Sequence, residues 1–142
     1  MQRNTKPIRI FALALFLLIF ASCVFSANIA LNRPISASSY YSTDTPAKVV
    51  DGSTATGWNA ATGSGGLPWI GVDLGAGASF NQVRVAPGSG PWTGTVYYDI
   101  KGSNDNVNFN TIKSGVSGST VTYPTWTSST FTTVSYRYLR IY

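Results

Sequence analysis

From Asn28 onward, apolar side chains recur mainly at every second position, in short runs punctuated by Gly, Ser, Asn and Pro. That period belongs to β-strands, whose successive side chains point to opposite faces. Residues 69–74 alternate, with Ile70, Val72 and Leu74 sharing one face, and Val83 and Val85 continue the theme. Residues 95–101 alternate as well, with Val96, Tyr98 and Ile100 on the apolar side. Further strands are predicted at 109–112, 120–123, 131–134 and 136–142, the last with Leu139 and Ile141 inward. Short strands at this spacing argue for an antiparallel sandwich or barrel. The one helical signal is at 45–50: Thr45 can cap, Pro46 suits a first turn and Gly52 follows the end, which predicts a single turn inside a loop. Residues 114–130 are rich in Ser, Thr and Gly, but Val121, Tyr123 and Trp126 within them favour a strand with flanking turns over a linker.

The first 26 residues follow another pattern. Arg3, Lys6 and Arg9 precede an unbroken apolar run from Ile10 to Ala21, and small residues come next. The run is short for a membrane span, which needs roughly 18 residues or more, and the order basic, apolar, small is that of a signal peptide. The reading is therefore export, with residues 1–26 removed and one domain at 27–142. Phe20-Ala21-Ser22-Cys23 loosely resembles a bacterial lipobox, except for Phe20 where Leu is usual, so a lipid anchor at Cys23 is the alternative to free secretion. Cys23 is the only cysteine, so the domain has no internal disulfide and must rely on core packing, sheet pairing or a bound ion.

Charge and missing residue types then exclude whole classes of function. The formal charge is +5, but three of the ten basic residues lie in the leader and the others are scattered singly. A phosphate-tracking surface needs them clustered, so nucleic acid is excluded as a partner. The chain contains no His and no Glu, which removes the usual general base, the usual zinc ligand and any Ser-His-Asp arrangement. Of the five Asp residues, Asp73 and Asp99 fall on outward strand positions and Asp105 lies in the turn Asn104-Asp105-Asn106, so no glycosidase-like carboxylate pair is expected. The domain is read as non-enzymatic.

One loop carries chemistry of its own. In Lys48-Val49-Val50-Asp51-Gly52-Ser53-Thr54-Ala55-Thr56-Gly57-Trp58, a carboxylate is followed by Gly and then by hydroxyl residues. Such a loop can curl oxygens around a hard cation, which takes six to eight of them; it is equally an ordinary Asp-Gly turn.

The order of five segments goes further than any one of them. Ala47-Lys48-Val49-Val50-Asp51-Gly52, Thr56-Gly57-Trp58, Pro68-Trp69-Ile70-Gly71-Val72-Asp73-Leu74-Gly75, Tyr98-Asp99-Ile100-Lys101-Gly102-Ser103-Asn104-Asp105 and Arg137-Tyr138-Leu139-Arg140-Ile141-Tyr142 together resemble the discoidin family, the coagulation factor V/VIII type C domain. Its bacterial members include the family 32 carbohydrate-binding modules. The resemblance implies a jelly-roll-like β-sandwich of about eight strands, with ligand bound by loops at one end. In calcium-containing members the matching loop supplies the Lys48 carbonyl, the Asp51 carboxylate, the Ser53 carbonyl and Thr56 oxygens, so a structural calcium ion is expected there. Members usually continue past the Arg137–Tyr142 strand to an aromatic, Glu-containing strand that closes the sheet and completes the calcium ligands. That strand is expected to be missing here, from a longer protein; such modules are often appended to glycoside hydrolases. Gly57 also replaces an Arg that many members carry before the Trp.

The loops matching the family's ligand end are 40–45, 59–67 and 87–94. Sugar recognition combines an aromatic face with a few hydrogen-bonding side chains on loops. Trp58 and Trp69 match positions that pack structurally. Trp92, among turn formers, is the candidate platform; Tyr40 and Tyr41 are others, with one of the pair expected to point inward, and Trp126 is left between an exposed aromatic and a sheet-edge cover. Asp44 and Asn59 are candidate hydroxyl partners. Carbohydrate is the expected partner, favoured by aromatic tips and neutral polar loops. Phospholipid binding calls for apolar tips with Lys or Arg, and none of the three loops contains either. Cell-surface adhesion, also known in the family, stays open.

Overall fold

The computed structural model describes residues 27–63, 65–88, 94–119 and 125–142. The leader with Cys23, the candidate platform Trp92 and the strand expected at 120–123 lie outside them. Among the described residues the elements are β1 (Ile35–Ala37), a single 3-10 turn (Pro46–Val49), β2 (Ile70–Val85), β3 (Thr95–Ser103), β4 (Asn110–Ser119) and β5 (Thr127–Ile141). All pairings are antiparallel, in the order β1-β2-β5-β3-β4.

Five strands stand among the described residues where about eight were expected, and the difference has a local cause. β2 joins the runs read separately at 69–74 and 83–85, and β5 joins those at 131–134 and 136–142. Their ladder is not broken between the halves but bent. Its register jumps from Asp73 opposite Tyr138 to Ala78 opposite Tyr136. The extra residues of β2 include Gly75 at φ +87°, a conformation that costs Gly little.

The bend folds the sheet over on itself. β3 pairs with β5 only through residues 138–141, whereas the outer half of β2 pairs with β5 through 127–136. The β3–β4 hairpin therefore faces those outer halves instead of bonding to them, and the space between them is filled by a core. Tyr98, Ile100 and Val116 are buried there against Val83, Val85, Ile112 and Phe131. A second core, of Val50, Val72 and Leu74 with Ala30, Ile35 and Phe80, lies under the loop that follows β1. Leu139 packs against both. Burying Ile100 completely stabilises the fold by about 1.5–3 kcal/mol relative to exposing it. Close approach is needed at Gly102, where a Cβ would meet the Tyr136 ring at 2.3 Å.

Two local expectations are corrected. Val96 was read on the apolar face with Tyr98 and Ile100, but it is exposed, because it sits at the outer end of β3 beyond the core cluster. Thr45 makes no side-chain capping hydrogen bond; the turn is closed by backbone bonds from Lys48 N to Thr45 O and from Val50 N to Ala47 O.

The bend is held by an ion pair. Arg137 Nε and Nη2 each donate to one oxygen of Asp73 at 2.9 Å, and Gly75 N donates to Asp73 Oδ1 at 2.8 Å. The Arg137 guanidinium, then the Gly75 amide, hold the Asp73 carboxyl down to about 2 from an ordinary 3.8. A depressed carboxylate contributes stability that is present above about pH 4 and lost as pH falls through 2. The unfolding midpoint of the protein should therefore drop between pH 4 and 2, and that acid limb should be shallower in Asp73→Asn and in high salt, since the pair is partly exposed. An unchanged limb in the variant would remove Asp73 as the titrating group.

Candidate ligand-binding site at the loop end

The loop following β1 and the loop before β2 come together through short hydrogen bonds. Trp58 Nε1 donates to Ser39 O at 2.8 Å and Tyr41 N to Asn59 O at 2.8 Å. Asp44 N donates to Tyr41 O at 2.9 Å, and Asn59 Nδ2 donates to Asp44 Oδ2 at 2.7 Å. Lys48 Nζ lies 3.6 Å from Asp44 Oδ1. Tyr41, Asp44 and Asn59, eighteen positions apart at their extremes, thus form one hydrogen-bonded group.

Tyr40 and Tyr41 are both exposed, at 54% and 59%, so neither points inward as expected for one of them. The strand alternation that would have turned one inward ends at Ala37, and the chain is by then in a turn. Trp58 is half-buried through its tether to Ser39, and Trp69 is half-buried under the Arg140 guanidinium, 3.9 Å from its ring centroid.

The Asp51 loop is closed on itself. Ser53 N donates to Asp51 Oδ1 at 2.8 Å and Thr56 Oγ1 to Oδ2 at 2.7 Å, while Ala55 N donates to Ser53 Oγ. The Thr56 hydroxyl, then the Ser53 amide, lower the Asp51 carboxyl below its ordinary range. The side chains of Asp51 and Thr56 are thereby brought together, as a shared cation would need. Among the described residues no group of three acidic, His or Cys side chains gathers around one point. The Lys48 ammonium is directed to Asp44, which leaves its carbonyl as its only contribution to such a site.

The remaining acids are spent locally. Asp99 Oδ1 accepts from Gly115 N at 2.9 Å across the β3–β4 pair, and Asp105 accepts from Ser103 Oγ, Val107 N and Asn108 within its own turn.

A cleft of about 160 Å³ opens beside the Tyr41–Asp44–Asn59 group, between residues 53–59 and the end of β2. Two of its walls were not foreseen. Arg84 and Trp126 line it together with Trp58 and Asn59, and the Arg84 guanidinium lies 5.2 Å from the Trp126 ring centroid. The register explains the meeting. Val83 and Val85 face the core, so Arg84 faces away from it; Arg84 pairs with Ser128, and Trp126 lies two residues along from Ser128 on the same face. The alternation Val83-Arg84-Val85 was a sufficient signal for Arg84 facing outward, but nothing local signals its cross-strand neighbour. A larger groove of about 240 Å³ is lined by residues of β1, β2 and β5, but its charged side chains are paired within the protein, Asp73 with Arg137 and Arg140 with Asn106.

A bent antiparallel sheet closed over its own core, with aromatic and amide side chains at a cleft between loops of one end, defines an all-β binding domain. The chain belongs to the F5/8 type C domain family, whose model matches residues 34–142. Among solved structures, it is similar to chitosan-binding module 1 of a chitosanase/glucanase from Paenibacillus sp. IK-5, with 29% identity and a TM-score of 0.65 over 81% of this chain and 84% of that one. Module 2 of the same enzyme, solved with chitotriose, is 27% identical with a TM-score of 0.65, over 81% and 86%. The CBM32 domain of AlyQ, solved with 4,5-unsaturated mannuronic acid, is 28% identical with a TM-score of 0.62, over 76% and 78%. No curated protein matches the chain.

The tether from Trp58 to Ser39 sets the position of the Tyr40–Tyr41 loop. Trp58→Phe, which keeps an aromatic ring but removes the Nε1 donor and part of the indole, should cost at least about 0.5–1.5 kcal/mol in urea unfolding with an unchanged slope. No change in midpoint would mean that the loop is held by other contacts.

Proposed function

We propose that the domain is a non-catalytic carbohydrate-binding module that takes glycan at the loop end, with Tyr40, Tyr41, Asp44 and Asn59 contributing to the site. The observation that carries this reading is the group of Tyr41, Asp44 and Asn59, drawn from two loops into one hydrogen-bonded unit beside a cleft with two Trp side chains. Exposed tyrosines offer flat apolar faces to sugar rings, while Asp44 and Asn59 offer fixed acceptors to hydroxyls. Holding Asp44 and Asn59 by their mutual hydrogen bond before ligand arrives lowers the ordering cost of binding. The similarity to chitosan-binding and CBM32 modules supports the same reading. A glycan array probed with the protein should retain a defined set of glycans. Asn59→Ala, which also removes the hydrogen bond to Asp44 Oδ2, and Tyr41→Ala should each weaken retention about tenfold, the equivalent of 1.4 kcal/mol. Retention of no glycan by the wild type would end the proposal, and equal retention by the variants would move the site elsewhere.

The reading extends to calcium at the Asp51 loop, held by the Lys48 and Ser53 carbonyls, the Asp51 carboxylate and Thr56. Its support is the 2.7 Å approach of Thr56 Oγ1 to Asp51 Oδ2, which already gathers two of these ligands. A bound ion would tie the loop ahead of Trp58. Millimolar calcium should raise the melting midpoint relative to chelator in the wild type and not in Asp51→Asn; identical wild-type curves would retire the site.

A further inference from the structure

Among the described residues Arg137 is paired with Asp73 and Lys48 with Asp44, whereas Arg33, Arg84, Lys101, Lys113 and Arg140 have no carboxylate within ion-pair distance; of these five, Arg84 lines the loop-end cleft. Among the described residues Arg84 is the only charged residue lining the loop-end cleft; Asp44 and Asp51 lie behind its walls, bonded to Asn59 and to Ser53 and Thr56. The guanidinium is held over the Trp126 ring, which itself stays 47% exposed. A cation set against an aromatic face, with no carboxylate at ion-pair distance, leaves its guanidinium donors available to an anion at a place that also offers hydroxyl and amide groups from Thr54, Thr56 and Asn59.

Resting on the carbohydrate reading above, we infer that the ligand is an acidic saccharide whose uronate carboxylate pairs with Arg84 while its ring lies against Trp126. A guanidinium presents a planar fork of donors that matches a carboxylate in two parallel hydrogen bonds, and stacking on Trp126 limits the orientations that fork can take. A neutral sugar leaves the Arg84 charge unanswered. An amino sugar is worse, because an ammonium in the position of that carboxylate would face the Arg84 cation. This separates the chain from its chitosan-binding neighbours in ligand charge while the fold is shared. The cation and the ring come from β2 and from the residue preceding β5, not from the loops that contain no Lys or Arg, so the charge of the site is set by strand pairing.

Titration of the purified protein with oligogalacturonates and oligomannuronates, with their methyl esters, with chitotriose and with phosphatidylserine vesicles tests this. The free acids of at least one uronate series should bind at least about tenfold tighter than their esters, and more weakly as salt rises. Arg84→Gln should lose that preference while melting like the wild type, since Arg84 makes no hydrogen bond or ion pair within the described residues; Arg84→Lys, which keeps charge without the fork, should retain part of it. Trp126→Ala should weaken binding of acid and ester alike. Equal binding of acid and ester, preference for chitotriose, or an unaltered Arg84→Gln would overturn the inference while leaving carbohydrate binding intact. Arg84-dependent binding of vesicles with no uronate bound would overturn it in favour of a lipid surface, and binding of no saccharide at all would remove both readings.

Discussion

The pairing of β2 with β5 is the constraint on which the rest of the molecule depends. It is one continuous ladder with a bend in its middle, and each half does a different job. The inner half, around Val72 and Leu139, lies in the centre of the sheet; the outer half, around Val83 and Val85, faces the β3–β4 hairpin across the main core. Without the bend at Asp73–Ala78 the two halves would lie in one plane, and Tyr98, Ile100 and Val116 would lose Val83, Val85 and Phe131 as packing partners. The Asp73–Arg137 fork and the positive φ of Gly75 are therefore structural devices of the same turn in the sheet.

The same ladder reaches the loop end and shapes the cleft there. Because a strand presents alternate residues to opposite faces, the placement of Val83 and Val85 in the core obliges Arg84 to face away from it. Because the register opposes Arg84 to Ser128, Trp126 falls within reach of its guanidinium. The cleft thus has one wall from a rigid sheet and another from loops tied by hydrogen bonds at Ser39, Tyr41, Asp44 and Asn59. Side chains supported in this way lose little freedom on binding, which suits a site that must recognise a solvated, hydroxyl-rich ligand with few contacts.

Acidic residues show the opposite economy. Asp73, Asp99 and Asp105 each accept hydrogen bonds from neighbouring backbone or side chains, and Asp51 closes its own loop. Their carboxylates stabilise turns, a bend and a hairpin crossing in place of the disulfides that one cysteine cannot provide. In a chain with no His and no Glu, this leaves Arg84 as the charged side chain on the cleft wall among the described residues.

The class of the fold was legible in the sequence, because period-two patterning and turn residues are local properties. The alternation at 69–74 and 95–101 sufficed to choose Val72, Leu74, Tyr98 and Ile100 for the core, and the order of five segments sufficed to suggest the family to which the chain belongs. Asp44 and Asn59 were legible as loop residues, though not as partners of one another. What pairing alone decided was the joining of separate short runs into two long bent strands and the meeting of Arg84 with Trp126. The physical reason is the same in each case. Register and bend fix which residues become neighbours across strands about 40 positions apart, and no pattern within either strand encodes its partner's register.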